Sequence, residues 1–277
     1  MTLKKAAGRA GYGIFLISVL LIMIIPIYYL LVTTFKTPAE AAASPLGLPV
    51  QITFENYRKA IEAMGYGRAL KNNLVIAVSS VSLLIIFASM SAYVIARSTN
   101  RLFCLMNSVF MVGLIIPFQI SIIPLYKMLA GVNLMNTHTA VILVDVFCIN
   151  LPLSIFLMRG FIHTVPVELE EAALIDGSGT FQCFWRIIFP LLKPILSTVA
   201  ILDMLAIWND FMTPLLLLQS SEKQVLLQQV YKNVGPFSTD WTSFFPMLVM
   251  ATLPLVLFYL VMQKQIIEGV VAGAVKG

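Results

Sequence analysis

The sequence predicts an all-α integral membrane protein with six transmembrane helices, on three observations. Hydrophobic residues make up 59% of the 277 and charged residues only 11%, against roughly 45–50% and about 25% in soluble domains. Mean hydropathy is +0.92. The apolar residues are also gathered into six long blocks. Each block is close to the roughly 20 residues that, at about 1.5 Å each, cross a hydrocarbon core of about 30 Å.

The blocks lie at about 12–33, 73–96, 103–126, 137–158, 191–218 and 243–263. Inside lipid a segment must satisfy its own backbone hydrogen bonds, so all six are expected to be helices. The first follows "MTLKKAAGRAG", which resembles the basic start of a signal peptide. The apolar run after it is longer than a signal peptide's core, so it is read as an uncleaved span. Pro26, Pro117, Pro124, Pro152 and Pro214 fall within or near spans, where they are expected as kinks.

Composition and spacing exclude several classes. The net charge of +5 is spread along the chain without a basic cluster, which fits a membrane surface and not a nucleic-acid partner. Cys104, Cys148 and Cys183 are odd in number and lack CxxC spacing, so neither a disulfide framework nor a zinc site is expected. His138 and His163 stand far apart, and no metal site is expected. No G-x-x-x-x-G-K-[ST] run is present, so the chain is not expected to bind nucleotide itself. No nucleophile–base constellation marks an enzyme.

Charge also suggests an orientation. With the amino terminus inside, ten of the eighteen Lys and Arg residues fall on the inner side. Lys4, Lys5 and Arg9 before the first span, and Arg97 and Arg101 in a very short loop, weigh most. Residues 1–11, 159–190 and a tail at 265–277 are then cytoplasmic. The outer connection 34–72 contains "TFENYRKAIEAMG", where Phe54, Tyr57, Ala60 and Ile61 recur at helical spacing. That pattern predicts a short amphipathic helix on the membrane or against a partner, with a packed connector as the alternative. The other outer connection, 219–242, is expected to be an exposed polar loop able to reach another protein.

Four of the thirteen acidic residues sit within nine positions, in "ELEEAALIDGSG" at 168–179. Pro166 suits the first turn of a helix, and Glu168, Glu170 and Glu171 favour the positive end of its dipole. Gly177 suits a left-handed residue that ends it. A second helix is expected from Ser178 or Thr180 toward Pro190. Residue types alone leave two readings open, a docking helix or a charge-decorated connector.

The run Glu171-Ala172-Ala173, three residues, Gly177, nine residues, Ile187, one residue, Phe189 and Pro190 resembles the EAA loop of permease subunits in bacterial ABC importers. Phe189 stands where that family prefers leucine. "IWNDFMTPLLLL" at 207–218 and "EGVVAGAVKG" at 268–277 resemble its carbohydrate-uptake branch, the maltose/multiple-sugar (MalG-like) second permease. The resemblance implies the type I ABC importer permease fold in a bacterial inner membrane, multi-pass, with both termini cytoplasmic. It implies a coupling helix in a cleft of an ATPase. There Glu171 supplies a charged contact, Ala172 and Ala173 allow close approach, and Leu174, Ile175 and Asp176 lead to the turn at Gly177. The tail, Gly273, Ala274, Val275, Lys276 and Gly277, is implied to reach between two ATPase subunits. The implied partners are a second six-span permease, those two ATPase subunits, an extracellular sugar-binding protein probed by the 219–242 loop, and membrane lipid. No cofactor is implied on this chain; ATP and Mg2+ belong to the ATPase.

Polar residues within spans are costly and usually face a cavity, a partner helix or each other. Asn150, Trp208, Asn209 and Asp210 are the candidates for a sugar path, with interhelical hydrogen bonding as the alternative. Asp145, Asp203, Asn107 and Gln119 share that ambiguity. Two rival functions remain: an ABC importer permease for a non-sugar solute, and an ion-coupled carrier using Asp145 and Asp203. The carrier needs discontinuous helices in symmetric halves, and no internal repeat is visible.

Overall fold

The computed structural model describes residues 2–234 and 240–274, the side chains of residues 2–11, 14 and 264–274 excepted. Every regular element among them is helical. In chain order these are α1 (Thr2–Thr33), α2 (Pro38–Ala43), α3 (Glu55–Met64), α4 (Tyr66–Arg97), α5 (Arg101–Ile115) and α6 (Phe118–Gly131). Then follow α7 (His138–Ile162), α8 (Glu168–Ile175), α9 (Thr180–Leu191), α10 (Lys193–Trp208), α11 (Met212–Leu217), α12 (Leu226–Lys232) and α13 (Trp241–Ala274).

Among the described residues, four stretches are long and apolar enough to cross a membrane unaided: Phe15–Thr33, Tyr66–Arg97, His138–Ile162 and Trp241–Gln263. The count reaches six if each of two bent pairs is one span. The first pair is α5 and α6, which meet at 107°. In place of the kink expected at Pro117, the structure makes a corner. Proline disfavours the helical region for the residue before it, and Ile116 is accordingly extended (φ −76°, ψ 119°). The second pair is α9 and α10, bent by 77°. The apolar block 191–218 is therefore not one helix: α10 ends at Trp208, and α11 begins at Met212.

Two other prolines act more gently. Val144–Asn150 within α7 and Phe184–Ile188 within α9 are π-helical, and each stretch ends two residues before a proline, Pro152 or Pro190. A proline ring clashes with the carbonyl four residues back and donates no hydrogen bond. Widening to a π-turn relieves both problems without breaking the rod.

The chain forms two compact units, residues 1–67 with 229–253, and residues 68–228 with 254–277. In the first, Tyr29 meets Phe245 edge-on at 5.5 Å, and the Tyr66 hydroxyl donates to the Met250 carbonyl at 3.2 Å. The amphipathic helix foreseen around "TFENYRKAIEAMG" is α3, but its inner face is Asn56, Ala60 and Met64. Ile61 points outward. Asn56 is drawn in because its Nδ2 donates to the Thr34 and Lys36 carbonyls at 2.9 and 2.8 Å.

In the second unit, Gly113 of α5 lets α7 come close, since an added Cβ would lie 3.3 Å from the Pro152 ring. Small residues serve this purpose at helix crossings in membranes. The polar 219–242 connection is more internal than expected, with Gln224 and Gln228 buried. Its first residues are clasped by Asn136, whose Oδ1 accepts from the Gln219 N–H, the Ser220 N–H and the Ser220 hydroxyl at 3.1, 3.1 and 2.9 Å. Residues 235–239 of that connection lie outside the described residues.

Candidate functional site

The acidic run folds as α8, an eight-residue helix with Glu168, Glu170 and Glu171 in its first turn. It ends as the sequence foresees. The Ser178 N–H donates to the Ala173 carbonyl at 2.9 Å, and the Gly177 N–H to the Leu174 carbonyl at 3.1 Å. These are the paired bonds of a Schellman ending. Gly177 supplies the left-handed residue at φ +85°.

Packing splits the helix into two faces. Glu170 and Ala173, one turn apart, are buried. Glu171 and Ala172 are exposed, and Leu174 and Ile175 stand outward at 55% and 86% exposure. Phe181, in the first turn of α9, adds another exposed apolar side chain. An apolar patch rimmed by carboxylates, on a segment too short to span a membrane, has the character of a protein contact surface. Ala173, expected to face outward with Ala172, instead packs within the chain.

The inward face rests on an ion pair that the sequence did not reveal. Arg97, at the end of α4, donates through Nε to Glu170 Oε1 at 2.7 Å and through Nη2 to the Val165 carbonyl at 2.8 Å. The Tyr93 hydroxyl donates to Glu170 Oε2 at 2.9 Å. Both Glu170 oxygens are thus engaged, and the pair is largely shielded, with side-chain exposures of 17% and 10%. The Tyr93 ring also lies 5.2 Å from that of Phe184 in α9. A membrane-spanning helix, the short acidic helix and the segment after it are thereby fastened at one point.

The candidate path residues are not presented alike. Trp208 is buried, Asn209 exposed and Asp210 half-buried, all at the break between α10 and α11. Asp210 Oδ1 caps α11, accepting from the Met212 and Thr213 N–H groups at 3.0 and 3.2 Å. Asn209 Nδ2 turns back to the Leu205 carbonyl at 2.8 Å. Asn150 is buried at the end of the first π-helical stretch, where its Nδ2 donates to the Asp145 carbonyl at 2.9 Å. The Asp145 carboxyl faces that of Asp210. The Ser154 hydroxyl meets both oxygens of Asp203, at 3.1 and 2.9 Å, across α7 and α10. For Asp203 the interhelical reading describes what is seen. Replacing Ser154 by Ala removes that donor from a buried carboxyl, so a loss of about 1–3 kcal/mol is expected. A lowered unfolding temperature in detergent checks this; an unchanged one contradicts it.

Among the described residues, no group of three or more His, Cys, Asp and Glu is placed to hold a metal. Val275, Lys276 and Gly277 lie outside the described residues, while Gly273 and Ala274 close α13.

Residues 84–270 match the family of binding-protein-dependent transport system inner membrane components. The chain belongs to that family. It is 37% identical over 258 residues to the melibiose/raffinose/stachyose import permease protein MelC of Bacillus subtilis, covering 91% of each chain. It is 34% identical over 256 residues to a probable starch degradation products transport system permease protein, AmyC, of Thermoanaerobacterium thermosulfurigenes, covering 92% of this chain and 93% of the other. The fold matches a chain of a bacterial ABC transporter involved in import of the acidic polysaccharide alginate, with a TM-score of 0.85 over 95% of this chain and 98% of that one, at 22% identity.

Membership makes this chain a multi-pass permease subunit of the inner membrane, with an ABC importer permease fold. The ion-coupled carrier reading is set aside. Within the family match fall α8, Arg97 and the break at 209–211.

Proposed function

We propose that the chain is one permease half of an ATP-driven importer of a sugar or oligosaccharide, and that α8 transmits the motion of a separate ATPase. The observation that carries the coupling role is the two-faced α8: fastened inward through Glu170 to Arg97, and bare outward at Leu174 and Ile175. A rigid, capped helix tied to a spanning helix moves that helix when it is itself moved. ATP then biases a two-state equilibrium by preferring the closed ATPase arrangement. The sugar assignment is supported by the names of the relatives and by the "IWNDF" and tail stretches.

On this reading Glu171, Ala172, Leu174, Ile175 and Asp176 meet the ATPase, and Gly177 shapes the turn. The tail from Gly273 to Gly277 reaches between two ATPase subunits, which carry the ATP and Mg2+. A second six-span permease completes the pathway, and an extracellular binding protein delivers the cargo to the outer side. Both termini are cytoplasmic. Asn150, Trp208, Asn209 and Asp210 belong to the substrate path, with Asn209 the member open to a ligand.

The test is uptake of labelled raffinose or maltooligosaccharide by vesicles holding the complete transporter with its binding protein. Uptake should require ATP and disappear in Glu171→Lys, with the protein still in the membrane. Transport and substrate-stimulated hydrolysis that survive this change would sink the coupling role. Uptake of amino acids but of no sugar would sink the cargo assignment.

A further inference from the structure

Asp145 lies in the π-helical stretch of α7, and Asp210 lies at the break between α10 and α11. Their carboxyls face each other. Asp145 Oδ1 and Asp210 Oδ2 are both closed off from solvent, and neither meets a hydrogen-bond donor. Asp145 as a whole is only 1% exposed. Buried polar atoms without partners are rare, and each calls for a missing one. We propose that the missing partner is a proton held between the two carboxyls, which latches α7 to the start of α11.

Charge points the same way. Among the described residues, no Lys, Arg or His is paired with either carboxyl. Two carboxylates facing each other out of water cannot both stay ionised, and one shared proton resolves the conflict. Ionisable groups at membrane depth pair with one another for this reason. The other titratable groups nearby bring no positive charge. Cys148, on α7, feels the Asp145 carboxyl, and Asp203, on α10, is held by Ser154.

Hydrogen bonds tell the two carboxyls apart. Asp210 Oδ1 already accepts from the Met212 and Thr213 N–H groups, and such bonds favour the charged form of a carboxyl. At Asp145 it is the backbone carbonyl that takes the Asn150 amide, so its carboxyl gains no such support. The proton therefore belongs to Asp145, whose O–H donates to Asp210 Oδ2. A single proton then satisfies both orphaned oxygens through a strong, charge-assisted bond. It is resident in the fold and is not carried across the membrane.

Assembly does not undo this arrangement. Further subunits cover what this chain exposes, but they do not reach two oxygens that it already seals. Both residues belong to the same compact unit. The latch is independent of the cargo and of the ATPase contact. With both Asp210 oxygens engaged inside the chain, Asn209 is left as the exposed polar residue at the break.

The experiment compares wild type, Asp145→Asn and Asp145→Ala in the assembled transporter, in lipid vesicles at neutral pH, with carbon-13-labelled aspartate in the permease. Infrared difference spectra read the carbonyl stretch of a protonated aspartic acid. Wild type should show such a band, and Asp145→Asn should lack it. The Asn amide still donates toward Asp210, so its unfolding temperature should stay near that of wild type. Asp145→Ala leaves Asp210 Oδ2 without a donor and should unfold several degrees lower. Absence of the band in wild type, or its persistence in Asp145→Asn, would overturn the proposal. So would an Asp145→Ala protein as stable as wild type. Wild-type stabilisation by Na+ or K+ over choline, lost in Asp145→Asn, would overturn it in favour of a metal cation between the carboxyls.

Discussion

Arg97→Ala should cripple transport, because Arg97 holds the inward face of α8 through Glu170. Removing it leaves the Glu170 carboxylate shielded without its cation. Breaking such a pair costs about 3–5 kcal/mol when fully buried, and the slight exposure here argues for the lower end. About 3 kcal/mol corresponds to roughly a hundredfold in the ratio of fastened to loosened α8. Uptake should fall about tenfold or more at this scale, while basal ATP hydrolysis continues. Tyr93→Phe removes a single donor to the same carboxylate and should be milder, at about 1–3 kcal/mol. The double variant Arg97→Leu with Glu170→Leu removes both charges together, so it should transport better than Arg97→Ala alone. Uptake and hydrolysis in proteoliposomes check the series. A double variant worse than the sum of its singles would show that the ion pair is not what fastens the helix.

Gly177 is the second position with a large expected effect, for a different reason. Its φ of +85° lies in the region that side chains avoid, and no neighbour lies within 4 Å of an added Cβ. Crowding plays no part, so the cost is backbone strain of about 1–2 kcal/mol for Ala. A β-branched residue is worse placed still, whereas Asn tolerates positive φ better than most. Transport should therefore fall in the order wild type, Gly177→Asn, Gly177→Ala, Gly177→Val. Proline adds a further loss, because the Gly177 N–H that bonds Leu174 disappears. Uptake by cells producing equal amounts of each variant reads the order directly. Equal uptake by the Gly177→Val and wild-type proteins would mean that the turn does not shape the contact.

The spans were legible because long apolar runs in lipid leave the backbone little choice but helix. Their straightness was not. Pro117 and Pro152 both interrupt apolar blocks, yet one makes a corner and the other a π-turn. Sequence registers the missing N–H equally in each case, while the neighbours decide how the chain recovers. The end of α8 was readable for a local reason, since glycine after a helical run points to a left-handed cap. Which glutamate matters inwardly was not readable. Glu168, Glu170 and Glu171 suit the helix dipole equally, and the selecting partner, Arg97, lies 73 residues away. The same distance problem hid Ser154 and Asp203, 49 residues apart. Asp210 was singled out for a substrate, and the structure adds a local duty, capping α11 through Oδ1.

The outward face of α8 is the surface that the ATPase is proposed to grip. Ile175, the most exposed apolar residue of that helix, is where a bond should form. The measurement is disulfide cross-linking of Ile175→Cys to cysteines placed around the cleft of the ATPase subunit in the assembled transporter, followed by uptake before and after reduction. A permease–ATPase adduct is expected, with loss of uptake while it persists and recovery when it is reduced. A transporter that still imports its sugar but gives no adduct at any cleft position would contradict the proposed grip.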